Sequence, residues 1–284
     1  MTPDIQSPPA TFRRAGGLCL LTWPALDAAD VTAAVTARVG GVSDGPYATL
    51  NLSLSVGDDP ARVLENRRRL AAALGTDPAS FVFARQVHGA GVRVVGERDR
   101  GSGAYSLDDA IDGADALVTS TPGVTLAILT ADCLPVVLHD PVAGVLACVH
   151  AGWRGTVAGV TAAAVAALRD LGSRPADVIA GLGPAIAGDR YQVGPDVHEA
   201  VTAAFGTAAQ AFLRPDLRPG APPDRWLLDV SGANRHALLE AGVPAARIHA
   251  SSTPTGTGEF FSDRAARPCG RLALVARLNP GAAR

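Results

Sequence analysis

Residues 131–155 read ADCLPVVLHDPVAGVLACVHAGWRG, two apolar runs on either side of a turn. Asp140, Pro141, Val142 and Ala143 followed by Gly144 are strong turn chemistry, because Pro presets φ and Gly accepts a left-handed backbone. The pattern predicts a β-hairpin. With those four residues as the loop, His139 opposes Gly144, and the continued ladder sets Cys133 opposite His150. Directly opposed residues have Cβ atoms about 4.5–5.5 Å apart on one face, whereas a one-residue slip separates them. A thiol and an imidazole at that spacing suit either one metal ion or a nucleophile with its base. His139 lies six residues along the strand from Cys133, about 20 Å at roughly 3.3 Å per residue, and reads as a loop-edge histidine. Cys148 reads as a buried apolar cysteine.

Other apolar runs predict strands near 31–37, 92–95, 116–119, 124–130, 178–181, 247–250 and 272–278. Asp59 can cap a helix with Pro60 at its first position; Val63, Leu70 and Leu74 share a face, and Gly75 stops it. The Ala-rich run 156–171 ends at Gly172, a plausible glycine cap, and two more helices are expected at 195–205 and 228–241. Segments 96–113 and 214–225 read as loops. The alternation predicts an α/β (mixed α+β) fold. A partly flexible segment over 1–24 would precede a single compact domain over 25–284, built of mixed sheets, β-hairpins and flanking helices.

With 284 residues, 48% of them hydrophobic, the chain has ample material for a core. All 25 basic residues are arginine, which rules out Schiff-base chemistry on lysine and a phosphate-loop lysine. A net charge of −2 leaves no electrostatic footprint for nucleic acid. The run Arg67, Arg68, Arg69 falls in the first helical pattern and reads as a solvated face. Residues 1–10 lack the basic and apolar regions of a signal peptide, and the longest apolar runs are too short to span a bilayer. Four irregularly spaced cysteines do not make a disulfide framework. Together these features predict a reduced, cytoplasmic protein with no membrane partner.

After the hairpin, Gly152-Trp153-Arg154-Gly155 opens the next helix. A helix N-terminus and an arginine beside a thiol would favour both thiolate and a bound anion. His88 stands at a Gly-bounded break in FARQVHGAGVRVV, where a side chain can project into a cleft. Two histidines and one cysteine would make a His₂Cys set with one open position, the arrangement of catalytic zinc.

Several segments together resemble the YfiH-like family, also called laccase-domain or polyphenol-oxidase proteins. They are TARVGGVSDGPYATLNLSLSVGDDPARVLENRRRL, RQVHG, ADALVTSTPGVTLAILTADCLPVVL, VHAGWRGTVAGV, GLGPAIAGDRYQVGPDV and FFSDRAARPCGRLALVARL, in that order from about residue 31 to 278. The resemblance implies a compact α/β fold and one zinc ion per chain, held by His88, Cys133 and His150. It implies phosphorolysis of adenosine, inosine and guanosine, cleavage of methylthioadenosine, and adenosine deamination. The partners would be a small-molecule nucleoside and inorganic phosphate; the sequence does not set the oligomeric state, with a monomer or homodimer expected. Some bacterial relatives are linked to peptidoglycan quality control. The chain departs from the family at Ser251 and Ser252, where a Cys-Thr pair is usual. It departs again at Asp263 and Ala265, which flank Arg264 where Tyr-Arg-Arg is usual. These departures bear on substrate preference more than on the metal site. Six histidines without a His-x-His pair cannot furnish a type-1 and a trinuclear copper centre together, so a multicopper site is disfavoured.

For phosphate, the candidates are Arg38, Arg154 and Arg264, since guanidinium groups bind such anions bidentately. Phe260 and Phe261 are candidates to stack on a base, or to pack a core. Asp132 is the nearest candidate proton carrier, or a turn cap. Two other readings stay open. One is a metal-free cysteine hydrolase using Cys133 and His150, which could edit peptidoglycan precursors. The other is a non-enzymatic zinc-binding protein, which would need a fourth ligand to close its site.

Overall fold

The hairpin forms, with Leu134–Asp140 and Val145–Ala151 paired antiparallel. Its loop is shifted by one residue from expectation: Asp140 ends the first strand and opposes Val145, while His150 opposes Pro135. The reason lies in Asp140, whose Oδ1 accepts the N–H groups of Val142 and Ala143 and so closes the turn from the strand end. Gly144 takes the left-handed conformation at φ 64°. The ladder thereby moves by two residues, which preserves the faces. Cys133 and His150 become diagonal neighbours, and one further step along the ladder would set Gly152 opposite Cys133.

The protein is known here from a computed structural model, which describes residues 10–27 and 30–279. This hairpin is the centre of a six-stranded sheet ordered Ile248–Ala250, Ile179–Leu182, Leu134–Asp140, Val145–Ala151, Ala116–Thr119 and Val92–Val94. A seven-stranded sheet lies against it, ordered Thr11–Ala15, Leu18–Thr22, Val31–Thr36, Leu272–Leu278, Thr125–Thr130, Phe81–Arg85 and Ile111–Asp112. Both sheets mix parallel and antiparallel pairs. Between them packs a core that includes Leu126, Ile128, Val137, Leu146, Cys148 and Leu274. Helix Pro60–Ala73 covers the outer face of the seven-stranded sheet, and Val160–Asp170 with Val230–Glu240 covers that of the other. The result is a four-layered mixed α/β domain. Every strand expected from the sequence is present within two residues of its place.

Several expectations are corrected. Part of the expected N-terminal segment 1–24 belongs to the sheets. Thr11–Ala15 and Leu18–Thr22 form a hairpin on the edge of the seven-stranded sheet, and Leu18, Leu21 and Trp23 are buried. Residues 1–9 of that segment lie outside the described residues. The Ala-rich run is two helices, Trp153–Val157 and Val160–Asp170, broken where Gly159 takes φ 82°. Arg67 does not face solvent: it is 2% exposed, lies over the ring of Phe83, and donates to the carbonyls of Leu52, Gly103 and Ala104. Three loop carbonyls are satisfied by one guanidinium, which is why a charge is tolerated there. His139 is buried inside its strand, with Nδ1 against the Val145 carbonyl. Cys148 is fully buried as expected, and burial pushes its thiol up.

Candidate functional site

The turn Ala131-Asp132-Cys133 carries the chain from Thr125–Thr130 in one sheet to Leu134–Asp140 in the other, so Cys133 sits at the end of the sandwich. His150 reaches the same end from the second hairpin strand. His88 arrives from the loop after Phe81–Arg85, where Gln86 bonds both the N–H and the carbonyl of Leu129 and prolongs that pairing. The side-chain donor atoms of His88, Cys133 and His150 all lie within 4.8 Å of one another. Among the described residues, the non-glycine residues with positive φ are His88, at 59°, and Asp132, at 89°. Such backbone conformations are strained and persist only where the surroundings hold them.

Asp115, which carries no mark in the sequence, does much of that holding. It sits just before Ala116–Thr119 and opposite His150 in the ladder, whose N–H donates to the Asp115 carbonyl at 2.7 Å. Its fully buried carboxylate takes the Nδ1 of His150 at 2.8 Å, the His88 N–H at 3.0 Å and the Gly89 N–H at 2.7 Å. One carboxylate thus fixes the ring of one potential donor and the backbone of a second. With Nδ1 engaged, His150 presents Nε2 to the cluster.

A third constraint is space. A Cβ on Gly152 would lie 2.8 Å from the Cys133 sulfur and 3.3 Å from Cδ2 of His88, so only glycine lets the strand end pass behind the three donors. Burial pushes the Cys133 thiol up, but hydrogen bonds and charge from His150 and His88 outweigh it and bring it down to about 6. Burial likewise pushes His150 down, and Asp115 and Cys133 reverse this and hold it at about 9. A thiol already inclined to thiolate, an imidazole oriented through Nδ1 and a second imidazole at its edge form a donor set that fits a borderline-soft divalent ion. The His-Cys-His group can bind a metal.

These donors open on a cavity of about 820 Å³. Arg154 and Arg264 line it, as do Asp132, Trp153 and Tyr191. The Arg154 guanidinium lies over the Trp153 ring and has no hydrogen bond or ion pair among the described residues. Arg264 lies over Tyr191 and donates to the Gln192 carbonyl. Burial pushes the Tyr191 hydroxyl up to about 12. Three expected residues are elsewhere. Arg38 donates twice to the Ala48 carbonyl beneath the Phe261 ring and lies outside the cavity. Phe260 and Phe261 are each 1% exposed and fill the core between the sheets, Phe260 stacking on Phe12. Asp132 lines the cavity, but its Oδ1 accepts the Thr255 hydroxyl and its Oδ2 the Arg264 N–H, which ties the cysteine turn to the C-terminal loop. The expected N-terminal anion site also changes. Trp153–Val157 has only five residues and offers little as an N-terminal anion site by itself; the Arg154 guanidinium stands beside it. Arg267, Arg271 and Asp263, none of them expected from the sequence as cavity groups, complete one wall.

A protein-family model described as multi-copper polyphenol oxidoreductase laccase matches residues 32–279. The purine nucleoside phosphorylase ORF3 of Streptomyces griseus is 44% identical over 242 residues, covering 84% of this chain and 91% of its own. A crystal structure of the hypothetical protein YfiH from Bacillus licheniformis superposes with a TM-score of 0.86 at 34% identity, over 94% of this chain and 99% of that one. YlmD from Geobacillus stearothermophilus superposes with a TM-score of 0.85 at 35% identity, over 95% and 100%. No helix among the described residues is long and apolar enough to cross a membrane.

Proposed function

The chain belongs to the YfiH-like family described as multi-copper polyphenol oxidoreductase laccase, and from that premise we propose that it is a zinc-dependent purine nucleoside phosphorylase that also deaminates adenosine. The observation that carries the reading is the three-donor cluster of His88, Cys133 and His150 facing a cavity lined by the unpaired Arg154. Relatives named purine nucleoside phosphorylase supply the substrate class. Oxidase chemistry with several copper ions fits less well, because the described residues offer one such cluster of donors.

In phosphorolysis, adenosine and inorganic phosphate give adenine and ribose 1-phosphate: the C1′–N9 bond breaks, a C1′–O bond forms, and the purine takes up a proton. Arg154 is suited to receive the phosphate, since its guanidinium carries no internal counter-ion and is stacked in place. Arg264 is the second phosphate candidate, with part of its fork committed to Gln192. Tyr191, kept protonated across the neutral range, offers an O–H donor to the nucleoside. Asp132 acts as the link that fixes Cys133 relative to Arg264, since both its oxygens are already engaged. In deamination, adenosine and water give inosine and ammonia. A zinc ion held by His88, Cys133 and His150 would supply Lewis acidity and lower the pKa of water. Inosine, guanosine and methylthioadenosine fall within the same proposed substrate class, acted on in the cytoplasm.

A second reading is favoured by one observation. Asp115, His150 and Cys133 are aligned as orienter, base and nucleophile, which without metal describes a cysteine hydrolase. The two readings separate on metal-loaded protein and its Cys133→Ser variant incubated with adenosine. The proposed function expects bound zinc and nucleoside turnover in the parent, and loss of both in the variant. A metal-free parent that leaves nucleosides unchanged would overturn it and favour the hydrolase.

A further inference from the structure

Arg267 and Arg271 lie on the cavity wall, and both turn to one carboxylate, that of Asp263. Arg271 places Nη2 3.0 Å from Oδ1 of Asp263 and is further fixed by the carbonyls of Cys269 and Gly270. Arg267 pairs with Oδ2; it is 77% exposed, and Asp263 is its one hydrogen-bonded partner among the described residues. The guanidinium groups of Arg154 and Arg264, on the same cavity, have no carboxylate partner among the described residues. A further cavity arginine, Arg85, donates to the Leu107 carbonyl and has Asp112 3.7 Å from its Nε. Among the other four, the Arg154 guanidinium is unpaired, that of Arg264 has only part of its fork on the Gln192 carbonyl, and those of Arg267 and Arg271 are occupied by Asp263.

The volume of 820 Å³ lies toward the upper end of the range of about 300–1,000 Å³ for small-molecule sites. Size alone does not exclude a nucleotide from such a cavity. Charge can. A phosphate ester approaching Arg267 and Arg271 would have to displace Asp263 and would meet it as a like charge, whereas a neutral nucleoside meets neither obstacle. We propose that Asp263 is a specificity-determining residue: as the built-in counter-ion of Arg267 and Arg271 it makes the cavity select neutral purine nucleosides over purines bearing a phosphate of their own. The inference rests on the nucleoside reading for its substrate class, and on the ion-pair geometry for the masking of the two arginines.

The test is equilibrium binding of adenosine and of adenosine 5′-monophosphate to metal-loaded parent protein, Asp263→Asn and the double variant Asp263→Asn/Arg267→Gln, with metal content measured on each. The parent should prefer adenosine. Asp263→Asn should move the affinity ratio toward the monophosphate by roughly tenfold or more, the scale of one charge-assisted hydrogen bond. The double variant should reverse that shift, because it removes the more exposed of the two unmasked arginines. Asp263→Ser gives the same readout if the amide disturbs the turn. An unchanged ratio in the single variants, or a shift that survives in the double variant, overturns the proposal. If the parent binds neither purine, the nucleoside reading fails, and inorganic phosphate becomes the probe. Tighter phosphate binding by Asp263→Asn than by parent then supports the masking, and equal binding refutes it.

Discussion

Asp115 and His150 are joined twice, by the backbone N–H of His150 on the Asp115 carbonyl at 2.7 Å and by Nδ1 on the carboxylate at 2.8 Å. The doubled link leaves the imidazole no freedom to turn Nδ1 toward the metal donors. Asp115→Asn should therefore weaken metal binding by about 10–100-fold, the usual effect of losing a carboxylate behind a ligand histidine. Metal competition with a chromophoric chelator measures it, and unchanged affinity would remove Asp115 from the account of the site.

Gly152→Ala tests the fit of the strand end behind the donors. Its Cβ would sit 2.8 Å from the Cys133 sulfur, closer than real Cβ atoms approach. The donors must separate, so bound metal should fall well below that of the parent while the far-ultraviolet circular dichroism is kept. Full metal occupancy in the variant would mean that the close approach is not structural.

The thiol of metal-free protein should titrate early. His150 and His88 overcome the upward push of burial and bring Cys133 to about 6, so thiolate is present above that pH and lost as pH falls through it. Alkylation of Cys133 should accordingly rise as pH passes upward through about 6 and then level off. An ordinary cysteine would rise near 8.5 instead. Metal loading should suppress the reaction, because the sulfur is then coordinated. A midpoint near 8.5 in metal-free protein would contradict the electrostatics described for the pair.

Arg67 allows a stability prediction outside the site. Arg67→Met abandons hydrogen bonds to Leu52, Gly103 and Ala104 in a buried setting and should destabilise the fold by about 3 kcal/mol or more. Arg68→Met removes only an exposed pair with Glu65 and should stay within about 0.5 kcal/mol. Thermal unfolding of the two variants side by side gives the comparison; equal effects would contradict the buried role of Arg67.

What the sequence disclosed, and what it hid, follows from distance along the chain. The central hairpin was legible because turn residues and apolar runs are local signals, and even a loop misplaced by one residue left Cys133 and His150 on the same side. Phe81–Arg85 and the N-terminal strands are not legible in the sequence, since their pairing partners are remote and their burial shows only once the sheet is assembled. Asp115 shared that fate. It lies 35 residues from His150 and looks like an ordinary loop aspartate until Ala116–Thr119 is paired with Val145–Ala151. Phe260 and Arg38 lie away from the cavity for the complementary reason: residue type suggests a role, while Phe260 packs against Phe12 and Arg38 is engaged by the Ala48 carbonyl. Arg67 shows the same limit, since a charge run on a helix has no sequence mark for the one member that turns inward.

Arg154→Ala separates anion binding from the metal. Zinc content and adenosine deamination should persist, because water attack on the purine needs no phosphate. Phosphorolysis should fall by about one to two decades, corresponding to about 1.5–3 kcal/mol for the loss of a charge-assisted hydrogen bond, and should recover in part at higher phosphate. Equal loss of both activities would mean that Arg154 positions the nucleoside.

Incubation of zinc-loaded protein with adenosine and isotopically labelled inorganic phosphate tests the central claim most directly. The account expects adenine and ribose 1-phosphate in equal amounts, with the label in the sugar phosphate and none formed when phosphate is omitted. Adenine accompanied by free, unlabelled ribose, or adenosine left unchanged by folded, zinc-loaded protein, would contradict it.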